Sequence, residues 1–298
     1  MKLFVSLPAG TREGAGDPRA LVEIGRQADE AGIDGVIIAE HVVMGNHTDR
    51  YQWGEFPFPP EAPWLEPLTV LTAMAAVTER IVLTTGILIV PLRPAALLAK
   101  IVATIDHLSG GRLELGVGTG WQPEEFTAQG LDPEQRGQLL TDHIAACRVL
   151  WRDSPASFES ATVSFDGIWC EPRPATPGGP PVLFSGTLTP RNVRRIVELG
   201  DGWIPIMGAT LDDITSGVQQ LRAALSAAGR DPESLQVRAP LPIERDGKRP
   251  DLAATVAGAG ALEQAGVTEV SLPTAIAAKD LDGLPAGFAE LADRWATR

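Results

Sequence analysis

LELGVGTGWQPEEF, residues 113–126, is the stretch on which the fold turns. An apolar-biased run enters Gly116, Gly118 and Gly120, passes Trp121, and continues into a polar segment with the character of a helix start. A strand that feeds a glycine-rich turn and then a helix is half of a βα repeat. Glycines in such a turn either relieve crowding at the strand end or let a flat or phosphorylated group approach the backbone. The dinucleotide fingerprint G-x-G-x-x-G is not met, because Trp121 stands where its third glycine belongs and the turn follows the fourth candidate strand instead of the first.

Outward from this unit the chain alternates short β-branched runs with longer helical patterns. The candidate strands are KLFVSL (2–7), DGVIIAE (34–40), RIVLTTGILIV (80–90), RLELGVG (112–118), PVLFSG (181–186), GWIPI (202–206), LQVRAPL (235–241) and TEVSLP (268–273). Helical patterns cover 17–32, 66–79, 93–111, 132–153, 189–202, 211–230 and 251–266, the first with Asp17 as cap and Pro18 at its first position. Eight strands with intervening helices predict a (β/α)8 TIM barrel over 1–298 as a single domain; an open doubly wound sheet is the alternative. Two aperiodic stretches, 42–65 and 152–180, are too long for ordinary connections and read as insertions that wall or cover a site, the second with a hairpin in TVSFDGIWCEP.

Composition narrows the partner. A formal charge of −13 and a pI near 4.8 repel nucleic acid and anionic lipid, which leaves a small molecule. The sequence contains no uncharged apolar run of about 18 residues, and MKLFVSLPAG lacks the pattern of a secretory signal, so a cytoplasmic protein is expected. Cys147 and Cys170 read as packing residues in a reduced compartment. His41, His47, His107 and His143 are scattered, which argues against a metal centre, and no G-x-S-x-G elbow supports a hydrolase.

Barrel strands converge at their carboxyl ends, so the residues there are the site candidates. Strand two ends in Glu40-His41, and an imidazole at that place exchanges protons near neutral pH. Strand three carries Thr84, Thr85 and Gly86 before Ile87, a glycine in a β-branched run that signals a bulge. After strand five, Ser185, Gly186 and Thr187 lead into a helix with Arg191 and Arg194 nearby, a set suited to a phosphate and equally to an ordinary capped helix.

Taken in order, IAEHVV, TERIVLTTGILIVPLRPAALLAK, LSGGRLELGVGTGWQPEEF, PVLFSGTLTPRNVRRI and LGDGWIP resemble the bacterial luciferase-like superfamily, above all its oxidoreductases dependent on the deazaflavin F420. The resemblance runs over roughly 1–210. It implies a (β/α)8 barrel, often a homodimer, with the cofactor ring across the carboxyl ends of the strands. It further implies a non-prolyl cis peptide at Gly86-Ile87 beside Thr85. Gly118, Thr119 and Gly120 would line the cofactor, and Ser185, Gly186, Thr187 and Arg191 would hold its phosphate. His41 would serve as proton donor or acceptor, with Glu40 orienting it. Relatives that oxidise sugar phosphates carry a glutamate where this chain has Trp121, which argues against that substrate. Trp53, Trp64 and Trp121, with Tyr51 and Phe56, would instead wall a flat or apolar substrate. The rivals are an FMN-dependent monooxygenase on the same fold and a noncatalytic F420-binding protein.

Overall fold

A computed structural model describes residues 1–7, 19–278 and 280–298. Eight parallel strands close into a barrel: β1 (Lys2–Ser6), β2 (Gly35–Ile38), β3 (Val82–Thr85), β4 (Leu113–Gly118), β5 (Val182–Ser185), β6 (Gly202–Ile204), β7 (Gln236–Pro240) and β8 (Glu269–Pro273). Each pairs with its neighbours in sequence, β1 with β8 and β3 with β4, so no free edge remains among these eight. The open-sheet alternative is thereby excluded.

Strand three shows why a continuous apolar run need not be one strand. Its pairing stops at Thr85, the Gly86-Ile87 peptide is cis, and pairing with β4 resumes at Leu88–Ile89. Residues 88 and 89 now face Val117 and Gly118, at the mouth of the barrel.

The helices are α1 (Ala20–Ala31), α2 (Pro67–Ala75), α3 (Ala95–Ser109), α4 (Pro123–Ala128), α5 (Arg136–Arg152), α6 (Pro190–Leu199), α7 (Leu211–Ala227), α8 (Leu252–Ala257), α9 (Ala259–Gln264) and α10 (Leu284–Ala296). Their ends follow local chemistry. Glu66 accepts from the Thr69 N–H ahead of Pro67, and Thr210 and Asp213 form a reciprocal capping box on α7. Asp17 and Pro18 lie outside the described residues. The helical pattern at 251–266 divides at Gly258 into α8 and α9. The sequence pattern did not yield α10, which buries Phe288, Leu291 and Trp295 and packs on α1. The hairpin lies earlier than expected, pairing Ala156–Glu159 with Ser164–Ile168 around the turn at 160–163.

Between strands and helices lies an aliphatic core that includes Val5, Leu71, Leu83, Val102, Leu115, Ile144 and Leu221. Inside the cylinder lies a polar cluster: Arg238 on β7 is bonded to Glu114 on β4 and Glu269 on β8 and contacts Thr84 and Thr85. Among the described residues no helix is long and apolar enough to cross a membrane.

At Gly116 a β-carbon would lie 2.2 Å from the Thr85 carbonyl oxygen. We expect Gly116→Ala to lose about 1–3 kcal/mol in urea unfolding, because backbone cannot yield as a flexible side chain does. Gly260→Ala is the control. Nothing lies within 4 Å of the added carbon, and the helix should gain about 0.5–1 kcal/mol.

Candidate active site at the barrel mouth

His41 sits just beyond β2, 7% exposed, with Nδ1 3.1 Å from Oε2 of Glu125. Glu125 is fully buried, and its other oxygen accepts the Val42 N–H at 2.8 Å. Gln122, one turn earlier and also fully buried, accepts the Gly45 N–H at 2.9 Å. The segment after the glycine turn therefore clasps the start of the 42–65 insertion at two points.

Glu40 does not meet the expectation that it orients His41. Consecutive residues of an extended chain point to opposite sides. Glu40 accordingly turns away, accepting the Ile89 N–H at 2.5 Å and a bond from Arg93, which also reaches Glu66. Burial raises the Glu40 carboxyl above its usual range against the pull of Arg93 and the Ile89 N–H. Burial works against the Arg93 charge too, but Glu40 and Glu66 outweigh it and raise its pKa. Glu40 is thus a brace under the β3 bulge.

Thr85, Gly86 and Ile87 stand beside the glycine turn of β4. Thr85 donates its hydroxyl to the Gly116 carbonyl at 2.8 Å, while Gly86 is exposed and Ile87 half-buried. A β-carbon on Gly118 would lie 2.9 Å from Ile87, and one on Gly120, at φ 70°, would lie 2.8 Å from Ile89. The protein's own strand three therefore crowds both glycines, through side chains of Ile87 and Ile89. Thr119 and Gly120 remain half-buried at the rim.

At the β5 end, the Gly186 N–H bonds the Ile204 carbonyl at 3.0 Å, and its carbonyl accepts from Trp203 Nε1 at 2.8 Å. Asn192 donates to the carbonyls of Ser185 and Thr187, and Thr189 caps α6. Among the described residues no protein partner engages the hydroxyls of Ser185 and Thr187. Exposed Arg191 has no carboxylate partner among those residues either, nor does Arg195, which is 7% exposed. Arg195 donates to Thr141 Oγ1 at 2.8 Å and to the Gly137 carbonyl. Burial, then the neighbouring Arg191, pushes its pKa down to about 10. Arg191 in the first turn of α6 opposes that helix's dipole, and Arg195 one turn further adds a second cation, a combination that favours an anion. The sequence reading named Arg191 and missed Arg195; its signal was the four-residue spacing that puts both on one helical face.

The insertion reaches over the mouth. His41 lies edge-on to Trp64 at 4.6 Å, Phe56 at 5.6 Å and Trp121 at 5.8 Å between centroids. Tyr51 contacts Phe56, Trp121 and Trp53, and its hydroxyl lies 3.3 Å from Met207 Sδ beyond β6. Because β2 and β6 stand on opposite sides of the barrel, the strap spans its opening. Trp53 sits on the outer edge of this cluster, and Trp64 Nε1 is buried without a hydrogen-bond partner among the described residues.

A groove of about 390 Å³ opens at the other end of the barrel, between α5 and α6. Its Arg148 and Arg230 are committed to backbone carbonyls and, for Arg148, to Asp201.

Comparison with known proteins agrees with this geometry. The chain is 37% identical over 167 residues to protein Rv0953c of Mycobacterium tuberculosis, covering 56% of this chain and 58% of that one. It is 30% identical over 167 residues to an FMNH2-dependent dimethylsulfone monooxygenase of Pseudomonas putida, covering 55% and 45%. The matches therefore span about half the length of these curated relatives. Among solved structures, monooxygenase RslO1 from Streptomyces bottropensis superposes with a TM-score of 0.82 at 19% identity, over 100% of this chain and 99% of that one. An F420-dependent secondary alcohol dehydrogenase carrying an F420-acetone adduct superposes with a TM-score of 0.77 at 16% identity, over 99% and 98%. These two likenesses show the fold alone. The model of the luciferase-like monooxygenase family matches residues 1–246, and the chain belongs to that family.

Proposed function

We propose that the protein is an F420-dependent oxidoreductase that transfers a hydride between the deazaflavin and a small organic substrate, with His41 as the proton donor or acceptor. The observation that carries this reading is His41 itself, a proton-exchanging group held by a buried carboxylate and enclosed by Trp64, Phe56 and Trp121. Hydride transfer at a carbonyl carbon requires a proton at its oxygen, and a site poor in water must supply one.

The residues present suit the cofactor. Arg191 and Arg195 offer positive charge with no carboxylate partner among the described residues, and the hydroxyls of Ser185 and Thr187 add donors for a phosphate. Exposed Gly86 and the half-buried rim of Thr119 and Gly120 leave the backbone open to a flat ring. Bound F420 would supply the hydride chemistry. The chain's own part is to orient the reactants under the 42–65 strap, exclude water and move one proton at His41. The substrate would be flat or apolar, walled by Trp53, Trp64 and Trp121, and the active form a homodimer with twice the mass of one chain in light scattering.

Fluorescence titration of the apoprotein with F420 and FMN separately tests the reading. F420 binding with weak or no FMN binding is expected; tight FMN binding with none of F420 overturns it. That second reading, an FMN-dependent monooxygenase, is favoured by the dimethylsulfone monooxygenase relative. In the same titration Arg191→Ala weakens F420 about tenfold, the loss of one charge-assisted hydrogen bond.

A further inference from the structure

We infer that Glu125 is the positioning residue that fixes the tautomer of His41, keeping the proton on Nδ1 and leaving Nε2 to meet substrate. The inference rests on the reading of His41 as the proton carrier but is decided without cofactor or substrate.

The two oxygens of Glu125 have separate tasks. Oε1 accepts the Val42 N–H at 2.8 Å, a bond whose direction is set because a backbone amide only donates. Oε2 is left to Nδ1 of His41 at 3.1 Å. With Oε1 engaged by an amide N–H, Oε2 is placed as the acceptor of an Nδ1–H, the tautomer inferred. No described residue bonds Nε2. The ring is held from several sides by Trp64, Phe56 and Trp121, so it cannot turn over without displacing the cluster. Gln122 supports the same arrangement by holding Gly45, three residues beyond Val42.

Glu125→Gln reverses this logic with little change of shape. Val42 still requires an acceptor and takes the amide oxygen, which turns the amide NH2 towards Nδ1. Nδ1 must then accept, and the imidazole proton moves to Nε2. The experiment is nitrogen-15 histidine NMR of the full-length apoprotein at a pH where His41 is neutral, with His41 assigned by the signal missing from His41→Asn among four histidines.

In the wild type the Nδ1–H tautomer is expected to dominate. In Glu125→Gln the ratio should invert by about tenfold to a hundredfold, the range set by one hydrogen bond to a charged group. A wild-type spectrum dominated by Nε2–H overturns the inference even if the variant does not fold. A folded variant with an unchanged tautomer overturns it as well. Failure of F420 to bind would remove the proposed function and leave this result standing.

Discussion

Under the proposed function, His41→Ala is expected to lower kcat for hydride transfer by about two to four orders of magnitude while F420 affinity is unchanged. The range is the ordinary contribution of a positioned general acid or base. The split between turnover and affinity follows from geometry. His41 bonds Glu125 and packs on Trp64, Phe56 and Trp121, whereas the anion-favouring corner of Arg191 and Arg195 lies beyond β5. Removing the imidazole removes the proton source without touching that anchor. Stopped-flow reduction of F420 at saturating substrate gives kcat, and cofactor fluorescence gives affinity. Loss of affinity with turnover retained at saturation would assign His41 to binding. F420 binding with no turnover in either wild type or variant across a panel of alcohols, ketones and enones would favour a protein that carries F420 without chemistry.

The eight strands were legible because each is a short β-branched run between turn signals, and the closed barrel follows from counting them. The site was legible in outline from strand ends: His41, the Gly86-Ile87 peptide and the 185–187 turn lie where a barrel exposes its chemistry. The glycine turn was harder. In sequence Gly118 and Gly120 suggest room for a ligand, yet the side chains that demand them, Ile87 and Ile89, are some 30 positions away and meet them only through the pairing of 88–89 with 117–118. Glu125 was missed for a related reason. In QPEEF it reads as one of two acids in a first helical turn, and nothing local distinguishes it from half-buried Glu124, whose side chain approaches Arg50. Glu40 was misassigned because adjacency along the chain was taken for adjacency of side chains, which an extended backbone contradicts.

Arg238→Ala should cost about 3–5 kcal/mol, because it leaves buried charge unpaired. Arg238 is 3% exposed and is bonded to Glu114 and, at 3.0 Å, to Glu269. Glu114 and Glu269 are themselves 3% and 2% exposed, so without the guanidinium two carboxylates stay out of water without their shared cation. Burial lowers the Arg238 pKa and Glu269 opposes that, but the group remains a cation at neutral pH because a guanidinium starts so high. Its ring of contacts is completed by Thr84 Oγ1 at 3.2 Å, the Thr85 carbonyl at 3.4 Å and the Phe4 ring at 4.9 Å. The register explains the meeting: Thr84 pairs with Glu114, and Arg238 with Glu269. Urea unfolding checks the figure, with the midpoint falling and the slope unchanged if the native state keeps its compactness. The companion variant replaces Arg238, Glu114 and Glu269 together by Met, Leu and Leu. Since desolvation of a buried ionic cluster offsets most of its attraction, this triple substitution should be near neutral or stabilising. A loss below about 1 kcal/mol in Arg238→Ala would mean that water reaches the triad. The same change bears on the mouth, because the Thr85 carbonyl that Arg238 holds immediately precedes Gly86-Ile87. Under the proposed function, Arg238→Ala protein that still folds should therefore bind F420 more weakly, whereas the triple variant separates loss of charge from loss of this support.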